Sequence, residues 1–180
     1  MEKMIIMING AFGVGKTSVA NEIQKSITNC MIFDPEEIGY LLRNIITEEI
    51  AHPSEKTDNF QDYQLWKQLV VNVASLLKRT YDKDLIVPMT IYNKGYFKYI
   101  FNGFKEIDEE TFHFCLTAKE ETIYERLRKR GEMEGNWCYQ QTRKCMDGYK
   151  DRCFESFINT DGVEINDIVK IINQKVYSSN

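Results

Sequence analysis

The chain has 180 residues, of which 43% are hydrophobic and 28% are charged, and its formal net charge is -4. This composition is ordinary for a soluble globular protein and too apolar for a disordered one, and the length suits one compact domain over residues 1–180. The net charge has the wrong sign for a protein that gains affinity by neutralising nucleic-acid phosphates, so we expect no nucleic-acid partner.

The first predicted element is a strand buried on both faces, the continuous apolar run at residues 4–8. A glycine-rich turn follows at once, and a helical apolar pattern begins at Lys16. Residues 31–33 predict a second short buried strand. Together these segments form one βαβ unit.

Asp34 predicts the start of the next helix, because a capping carboxylate here precedes Pro35 at the first helical position and acids in the first turn. This helix runs to about residue 46. Residues 52–59 are polar and predict a loop. A long amphipathic helix follows, with apolar positions from Tyr63 to Leu77. Residues 85–87 form a third strand, which should end near residues 89–90 because Pro88 cannot donate to a sheet ladder.

The second half of the chain continues the alternation of strands and helices. In chain order, the predicted elements are a strand at 112–116, a charged helix to about 130, a glycine-bearing stretch at 131–135, a helix to about 149, a strand at 157–159 and a helix at 165–176. This order predicts a three-layer α/β fold with about five parallel strands flanked by helices.

The glycine-rich turn at residues 10–17 has the pattern Gly-x-x-x-x-Gly-Lys-Thr, the P-loop. A strand precedes it and a helix follows, which is the context that phosphate binding by this motif requires. Lys16 is expected to reach the β- and γ-phosphates, and the Thr17 hydroxyl is expected to ligate Mg2+. The predicted nucleotide-binding residues are Gly10, Ala11, Phe12, Gly13, Val14, Gly15, Lys16, Thr17 and Ser18.

ATP is the expected nucleotide. Residues 93–96 begin like the guanine-reading motif Asn-Lys-x-Asp, but Tyr96 stands where the acid would be. An aspartate that ends an apolar strand is also missing from residues 85–90, so Asp34 is the best-placed acid to help hold Mg2+ or water. The chain has two histidines and five cysteines without zinc-ligand spacing, so we expect no metal besides the Mg2+ that accompanies ATP.

Asp34 follows the second strand, and ligands of open α/β sheets bind at the carboxyl ends of the strands. Phosphoryl transfer needs an acid there to orient the acceptor hydroxyl and take its proton. A helix cap explains the same residue type, and the two roles are compatible. Arg43, two turns further on, is either an acceptor contact or a solvated surface arginine.

Residues 126–130 form a basic cluster. Arg128 and Lys129 have an intrahelical partner in Glu125, whereas Arg126 has only Lys129 and Arg130 as charged neighbours. We therefore predict a mobile lid over about residues 126–145, in which Arg126 and Arg130 stabilise transition-state charge; a solvated helix face is the alternative. The predicted catalytic residues are Lys16, Asp34, Arg126 and Arg130.

Two aromatic residues are candidates for the acceptor pocket. Tyr63 and Trp66 could line it, although their helical spacing is more typical of core positions. Trp137 and the pair Thr160-Asp161 either touch the nucleotide or the lid hinge, or serve packing and helix capping. His113 lies in a predicted buried strand and is assigned no role.

Several of these segments together resemble a known family, the bacterial tunicamycin-resistance ATP-binding proteins. The segments are 8–17, 33–36 with Gly39 and Leu42-Arg43, 60–66, 86–91, 126–128, Asn136-Trp137 and Thr160-Asp161. The resemblance spans nearly the whole chain and is far more specific than the P-loop alone. It implies a fold similar to nucleotide and shikimate kinases, ATP as ligand, and a link to resistance against a uracil-containing nucleoside antibiotic.

Two classes of function follow. The first is a small-molecule kinase, and the second is an ATP-dependent protein that sequesters a drug without chemistry. A regulatory GTPase is disfavoured because the guanine motif is incomplete. The expected partner is a small molecule such as tunicamycin or another nucleoside-like compound, while the acceptor's identity and the oligomeric state stay open.

The expected location is the cytoplasm. The odd number of cysteines, without a Cys-x-x-Cys pair, is typical of free thiols in a reducing compartment. The first apolar run is shorter than a signal peptide's core, and no run approaches the ~20 apolar residues of a membrane span. Peripheral membrane contact stays open.

Overall fold

The computed structural model describes residues 4–178. The strands are β1 (Ile5–Gly10), β2 (Cys30–Ile32), β3 (Asp84–Met89), β4 (Thr111–Thr117) and β5 (Phe157–Asn159). The α-helices are α1 (Lys16–Ser26), α2 (Pro35–Ile45), α3 (Gln64–Tyr81), α4 (Lys94–Ile107), α5 (Glu120–Lys129), α6 (Trp137–Gly148) and α7 (Ile165–Tyr177). Two short 3-10 helices cover Pro53–Glu55 and Phe60–Asp62.

The strands form one parallel sheet in the order β2-β3-β1-β4-β5, flanked by helices on both faces, which confirms the predicted α/β fold. Every residue of β1 and β3 is buried. Their sequences are largely apolar because helices cover both faces of a parallel sheet. The carboxyl ends of all the strands lie at the same edge of the sheet, so the segments that leave them can form one site.

Separate apolar cores lie on the two faces of the sheet. One core packs α1 and α7 against the sheet and includes Ile6, Ile8, Ile23, Phe114 and Ile172. The other lies beneath α2, α3, α4, α5 and α6 and includes Met7, Leu42, Trp66, Phe104 and Phe154. None of the helices within residues 4–178 is long and apolar enough to cross a membrane.

Helix α4 is absent from the sequence prediction, which placed no element between residues 90 and 112. Two glycines, Gly95 and Gly103, weaken the helical signal there. The structure explains Gly103, since a Cβ atom at this position would lie 2.8 Å from the Val71 side chain of α3. Close contact between α3 and α4 thus accounts for a glycine that the sequence alone reads as a helix breaker.

Candidate functional site

The P-loop joins the end of β1 to the start of α1. Gly13 and Gly15 have φ angles of 78° and 107°, in the left-handed region that favours glycine. The backbone N–H groups of Gly13, Gly15, Lys16 and Thr17 donate no hydrogen bond to any residue within 4–178. They lie at the N-terminus of α1, where unpaired N–H groups and the helix dipole favour an anion. The loop therefore fits the phosphate group that the sequence predicts.

A buried asparagine, which the sequence analysis overlooked, holds the P-loop against two other segments. The Asn9 side chain donates to the Ile91 carbonyl at 2.9 Å and accepts from the Ile91 N–H at 2.9 Å. It also accepts from the Gly10 N–H at 2.9 Å and from the Tyr149 hydroxyl at 3.0 Å. Since buried polar groups are costly when unpaired, this network fixes the base of the P-loop relative to the exit of β3 and the end of α6.

Lys16 lies among the other charged groups predicted for the site. Its Nζ atom donates to the Ala11 carbonyl at 2.9 Å. Burial lowers the pKa of Lys16 to about 8; the negative charge of Glu36 opposes this shift, Arg130 reinforces it, and Asp34 opposes it. Lys16 is thus close enough to Glu36, Arg130 and Asp34 for their charges to act on it.

Asp34 and Glu36 form a pair of carboxylates at the start of α2. The Asp34 Oδ1 atom accepts from the Glu36 N–H at 2.9 Å, which confirms the predicted helix cap. Burial is the main cause that raises the pKa of both carboxyls; the Asp34 charge also raises the pKa of Glu36, and the Glu37 charge raises the pKa of Asp34. Glu36 was missed as a site residue, although its spacing of two residues from Asp34 was a usable signal.

Arg126 is not the unpaired cation of a mobile lid that the sequence predicted. Its guanidinium group donates to the Val14 carbonyl at 3.2 Å, to the Thr160 hydroxyl at 3.0 Å and to the Thr160 carbonyl at 2.8 Å. Arg126 therefore ties α5 to the P-loop and to the segment after β5. The predicted pair of Glu125 and Lys129 on this helix is present, with 2.7 Å between the Lys129 Nζ atom and the Glu125 carboxylate.

A cleft of about 320 Å³ lies beside the outer side of the P-loop. It is lined by Gly13, Val14, Gly15, Ser18, Val19, Arg126, Lys129, Arg130, Thr160, Val163, Ile165 and Ile168. The lining combines P-loop backbone, the planar guanidinium groups of Arg126 and Arg130, the Lys129 side chain and apolar side chains. Such a surface suits a flat base joined to a chain of phosphates.

A second and much smaller cleft, of about 20 Å³, lies beside Phe12 of the P-loop, and we call it the acceptor cleft. It is lined by Phe12, Glu36, Asn59, Phe60, Gln61, Thr90, Tyr92, Trp137 and Gln141. Trp137 closes one side, with its ring 5.1 Å from the Phe12 ring in an edge-to-face arrangement. The Trp137 Nε1 atom donates to Asp58 Oδ2 at 2.9 Å.

The residues predicted to contact the acceptor lie elsewhere. Trp66 is only 1% exposed, and its Nε1 atom donates to the Pro35 carbonyl at 3.1 Å within the core. Tyr63 packs at the edge of the same core. Arg43 is exposed, donates to the Asp58 carbonyl, and stands 5.4 Å from the centroid of the Phe60 ring. Trp66 is therefore a core residue, and neither Tyr63 nor Arg43 lines the acceptor cleft, whereas Phe60 and Gln61 do.

The five-stranded sheet, the P-loop and the paired carboxylates define a P-loop kinase-like protein. The chain belongs to a family described as the AAA domain, whose model matches residues 6–147. No curated protein sequence matches the chain.

Solved structures supply closer comparisons. The chain is similar to a tunicamycin resistance protein from Deinococcus radiodurans, with 26% identity, a TM-score of 0.78, and coverage of 97% of this chain and 96% of that chain. This likeness confirms the resemblance inferred from the sequence motifs. A gluconokinase from Sinorhizobium meliloti has 16% identity and a TM-score of 0.62, with coverage of 94% and 87%. A shikimate kinase from Acinetobacter baumannii in complex with shikimate has 14% identity and a TM-score of 0.61, with coverage of 100% and 96%. The last two comparisons show the fold alone.

Proposed function

We propose that the chain, acting as one domain in the cytoplasm, is an ATP-dependent kinase that transfers the γ-phosphoryl group to a hydroxyl of a small molecule. One observation carries the proposal. Asp34 and Glu36 lie beside Lys16, next to a loop that fits phosphates, and Glu36 also lines a small separate cleft that would have to widen to admit an acceptor. A protein that only binds ATP has no need of two carboxylates whose repulsion toward phosphate weakens that binding.

ATP binding is assigned to the P-loop and the 320 Å³ cleft. The free N–H groups of the P-loop would hold the phosphates, and Lys16 and Arg130 would meet their outer charge. The adenine would lie between the Arg126 side chain and the apolar residues Val163 and Ile165. The Thr17 hydroxyl, which lies on the exposed first turn of α1, would hold Mg2+, and the bound ion supplies charge neutralisation during transfer.

The carboxylates of Asp34 and Glu36 have separate roles in this proposal. Glu36 lines the acceptor cleft, so we assign to it the proton of the acceptor hydroxyl. As that proton moves to the Glu36 carboxylate, the acceptor oxygen bonds to the γ-phosphorus, the bond to the β–γ bridging oxygen breaks, and ADP leaves. Asp34 keeps one oxygen in the helix cap and would use the other to help hold Mg2+. A carboxyl whose pKa is raised by burial is better matched to taking a proton than an exposed one.

The lid in this proposal is shorter than residues 126–145. Arg126 is anchored to the P-loop, so movement would begin after it, at Arg130 and the glycines Gly131 and Gly135, and would carry Trp137. Closure would bring Arg130 to the phosphates and exclude water from the acceptor cleft.

The second candidate is an ATP-dependent protein that binds and sequesters a drug. The likeness to a tunicamycin resistance protein over nearly the full length of both chains favours tunicamycin, or a nucleoside-like compound, as the small molecule in either case. Mass spectrometry of Mg-ATP incubations with tunicamycin and a nucleoside panel separates the two candidates. The kinase proposal expects a product that is heavier by one phosphoryl group with wild type and none with Lys16→Ala. Tight binding of the compound without any such product would establish sequestration instead.

A further inference from the structure

The acceptor cleft is nearly closed in this structure. Its volume is about 20 Å³, which is close to the space that one water molecule needs. An acceptor must therefore displace part of the lining before its hydroxyl can reach Glu36. The parts of the lining differ in how firmly the fold holds them, and this difference indicates which part moves.

Most of the lining is held by the core. The Gln61 Nε2 atom donates to the Thr90 carbonyl at 2.7 Å, which ties the segment before α3 to the exit of β3. Phe60 is 8% exposed, and its ring centroid lies 5.9 Å from that of the buried Trp66. Displacing these residues would break a buried hydrogen bond or expose core surface, and both changes are costly.

Trp137 is held less firmly. It is the first residue of α6, it is 36% exposed, and the segment 131–136 precedes it. Gly131 and Gly135 have φ angles of 82° and 80°, and a Cβ atom at either position would have no heavy atom within 4 Å other than those of its chain neighbours. Met133, between them, is 79% exposed. These backbone positions can therefore change conformation without a steric cost, as hinges do.

Two contacts hold Trp137 at the cleft. Its Nε1 atom donates to Asp58 Oδ2 at 2.9 Å, and its ring lies 5.1 Å from the Phe12 ring in an edge-to-face arrangement. The Asp58 carbonyl in turn accepts from the Arg43 guanidinium of α2. Trp137 thus links α6 to the P-loop and to the loop before α3. Because a hydrogen bond to a charged acceptor is stronger than one to a neutral acceptor, the bond to Asp58 is the main restraint.

We propose that Trp137 is the gate of the acceptor cleft, that its hydrogen bond to Asp58 keeps the gate closed in the ligand-free chain, and that the acceptor enters when this bond breaks and residues 131–137, the gate segment, swing outward. This inference rests on the acceptor cleft of the proposed kinase and concerns the regulation of access to it. A closed resting state lowers the apparent affinity for the acceptor by the fraction of molecules that are open.

Cys138 reports the state of the gate in the native chain. It follows Trp137 and is partly buried; burial raises the pKa of its thiol, and the charges of Glu132 and Glu36 raise it further. Opening of the gate segment would expose this thiol. Its rate of alkylation by iodoacetamide, measured by mass spectrometry of peptides from the full chain, therefore follows the open population when reclosing is faster than alkylation.

The other cysteines are internal controls. Cys30 and Cys153 are partly exposed, and neither lines the acceptor cleft, so their alkylation rates should not depend on the gate. Cys115 and Cys145 are buried, so their alkylation reports unfolding.

Asp58→Ala should raise the alkylation rate of Cys138 by ~10-fold, because it removes the charged acceptor of the Trp137 bond. Asp58→Asn keeps an oxygen that can accept this bond and should raise the rate by about threefold or less. Glu134→Ala is the matched control, since it removes an exposed acid from the gate segment itself, and its rate should equal that of wild type. An unchanged Cys138 rate in folded Asp58→Ala would overturn the proposal.

Trp137→Phe tests the same bond from its other end. Phenylalanine keeps an aromatic ring beside Phe12 but has no N–H to donate. The alkylation rate of Cys138 should rise about as much as in Asp58→Ala, and the double variant should be no faster than either single variant, because both remove one interaction. Additive increases would show that the two residues act independently and would overturn the proposal. If alkylation of Cys115 shows that Asp58→Ala unfolds, Trp137→Phe alone decides.

The alkylation series needs neither nucleotide nor acceptor, so it separates this inference from the proposed function. Faster alkylation in Asp58→Ala, with no phosphorylated product from any compound, would keep the gate and reject the kinase. An unchanged rate, with phosphorylated product from wild type, would reject the gate and keep the kinase.

Discussion

The two clefts beside the P-loop are built in different ways. The phosphate-binding side is largely one continuous segment, residues 10–17, whose conformation follows from its glycines and its place between β1 and α1. The acceptor cleft draws Phe12, Glu36, Gln61, Thr90 and Gln141 from separate segments that meet only in the folded chain. A motif can therefore identify the first from sequence, whereas the second depends on how the sheet and helices pack.

Asn9 joins the two sides physically. Its side chain bonds Ile91, which directly follows Thr90 of the acceptor cleft, and Tyr149, which follows α6. A change in the acceptor cleft can thus reach the P-loop through one buried group. The predictions below test whether substitutions on one side of the P-loop leave the function of the other side unchanged.

The largest effect is expected on the phosphate side, for Lys16→Ala. The substitution should weaken Mg-ATP binding by ~100-fold or more and lower turnover by ~1000-fold or more, because it removes a charge aimed at the phosphates. The melting temperature should stay within a few degrees of wild type, since Lys16 makes one hydrogen bond and is destabilised by burial. Calorimetric titration and thermal melts measure both quantities.

Lys25→Ala is the control for that variant, because Lys25 lies on the same helix but is exposed and pairs with Glu22. It should bind ATP as wild type does. Unchanged ATP affinity in folded Lys16→Ala would remove the basis for the phosphate-side assignment.

Glu36→Gln and Asp34→Asn should lower product formation by ~100- to 10,000-fold while ATP binding persists. Glu36→Gln keeps its shape in the acceptor cleft but cannot take a proton. Asp34→Asn keeps the acceptor atom that caps α2, so folding should survive. Mass spectrometry of product and calorimetric titration of ATP measure the two effects.

Tolerance to tunicamycin in cells that express each variant adds an independent readout. The kinase proposal expects tolerance to fall with product formation if the drug is the acceptor. Wild-type tolerance in Asp34→Asn, with no phosphorylated product from either protein, would favour sequestration.

Arg126→Ala is expected to lower both stability and ATP affinity, because the Arg126 guanidinium makes three hydrogen bonds to Val14 and Thr160. We expect a loss of ~1–3 kcal/mol in the free energy of unfolding and a roughly tenfold weaker ATP affinity. Denaturant titration and calorimetry measure these values. Arg128→Ala, on the same helix, should change neither by a comparable amount; an Arg126→Ala protein as stable as wild type would contradict the anchoring role.

The smallest effect concerns pH. In the free protein the pKa of Lys16 is about 8, and bound phosphates raise it by stabilising the charged form. ATP affinity should therefore be constant just below pH 8 and fall by up to about tenfold per unit above it, since binding then requires proton uptake. The phosphates are already fully ionised in this range, so they add no slope. In Lys16→Asn the side chain at position 16 does not titrate, so the remaining ATP affinity should not change between pH 8 and 9.

The sequence predicted the parallel sheet, the P-loop and the cap at Asp34 because these features depend on local patterns. Apolar runs mark strands buried on both faces, glycines mark the left-handed turn, and an acid before proline marks a helix start. The sequence did not predict Glu36 as a site residue, since an acid in the first turn of a helix is explained equally well by the helix dipole. It left Trp66 open between the core and a pocket wall, because helical spacing is the same in both, and the structure places Trp66 in the core.

What the amino-acid sequence determined by itself was the class of nucleotide site, since the required N–H groups and the lysine are neighbours along the chain. The tertiary structure alone decided that Arg126 is an anchor, because its partners Val14 and Thr160 are far from it in sequence. It alone brought Gln61 and Gln141 to one cleft, because α6 and the segment before α3 are far apart in the sequence. The role of a buried polar group depends on which hydrogen bonds it makes and which it leaves unmade. Both are fixed only when segments that are distant in the sequence pack together.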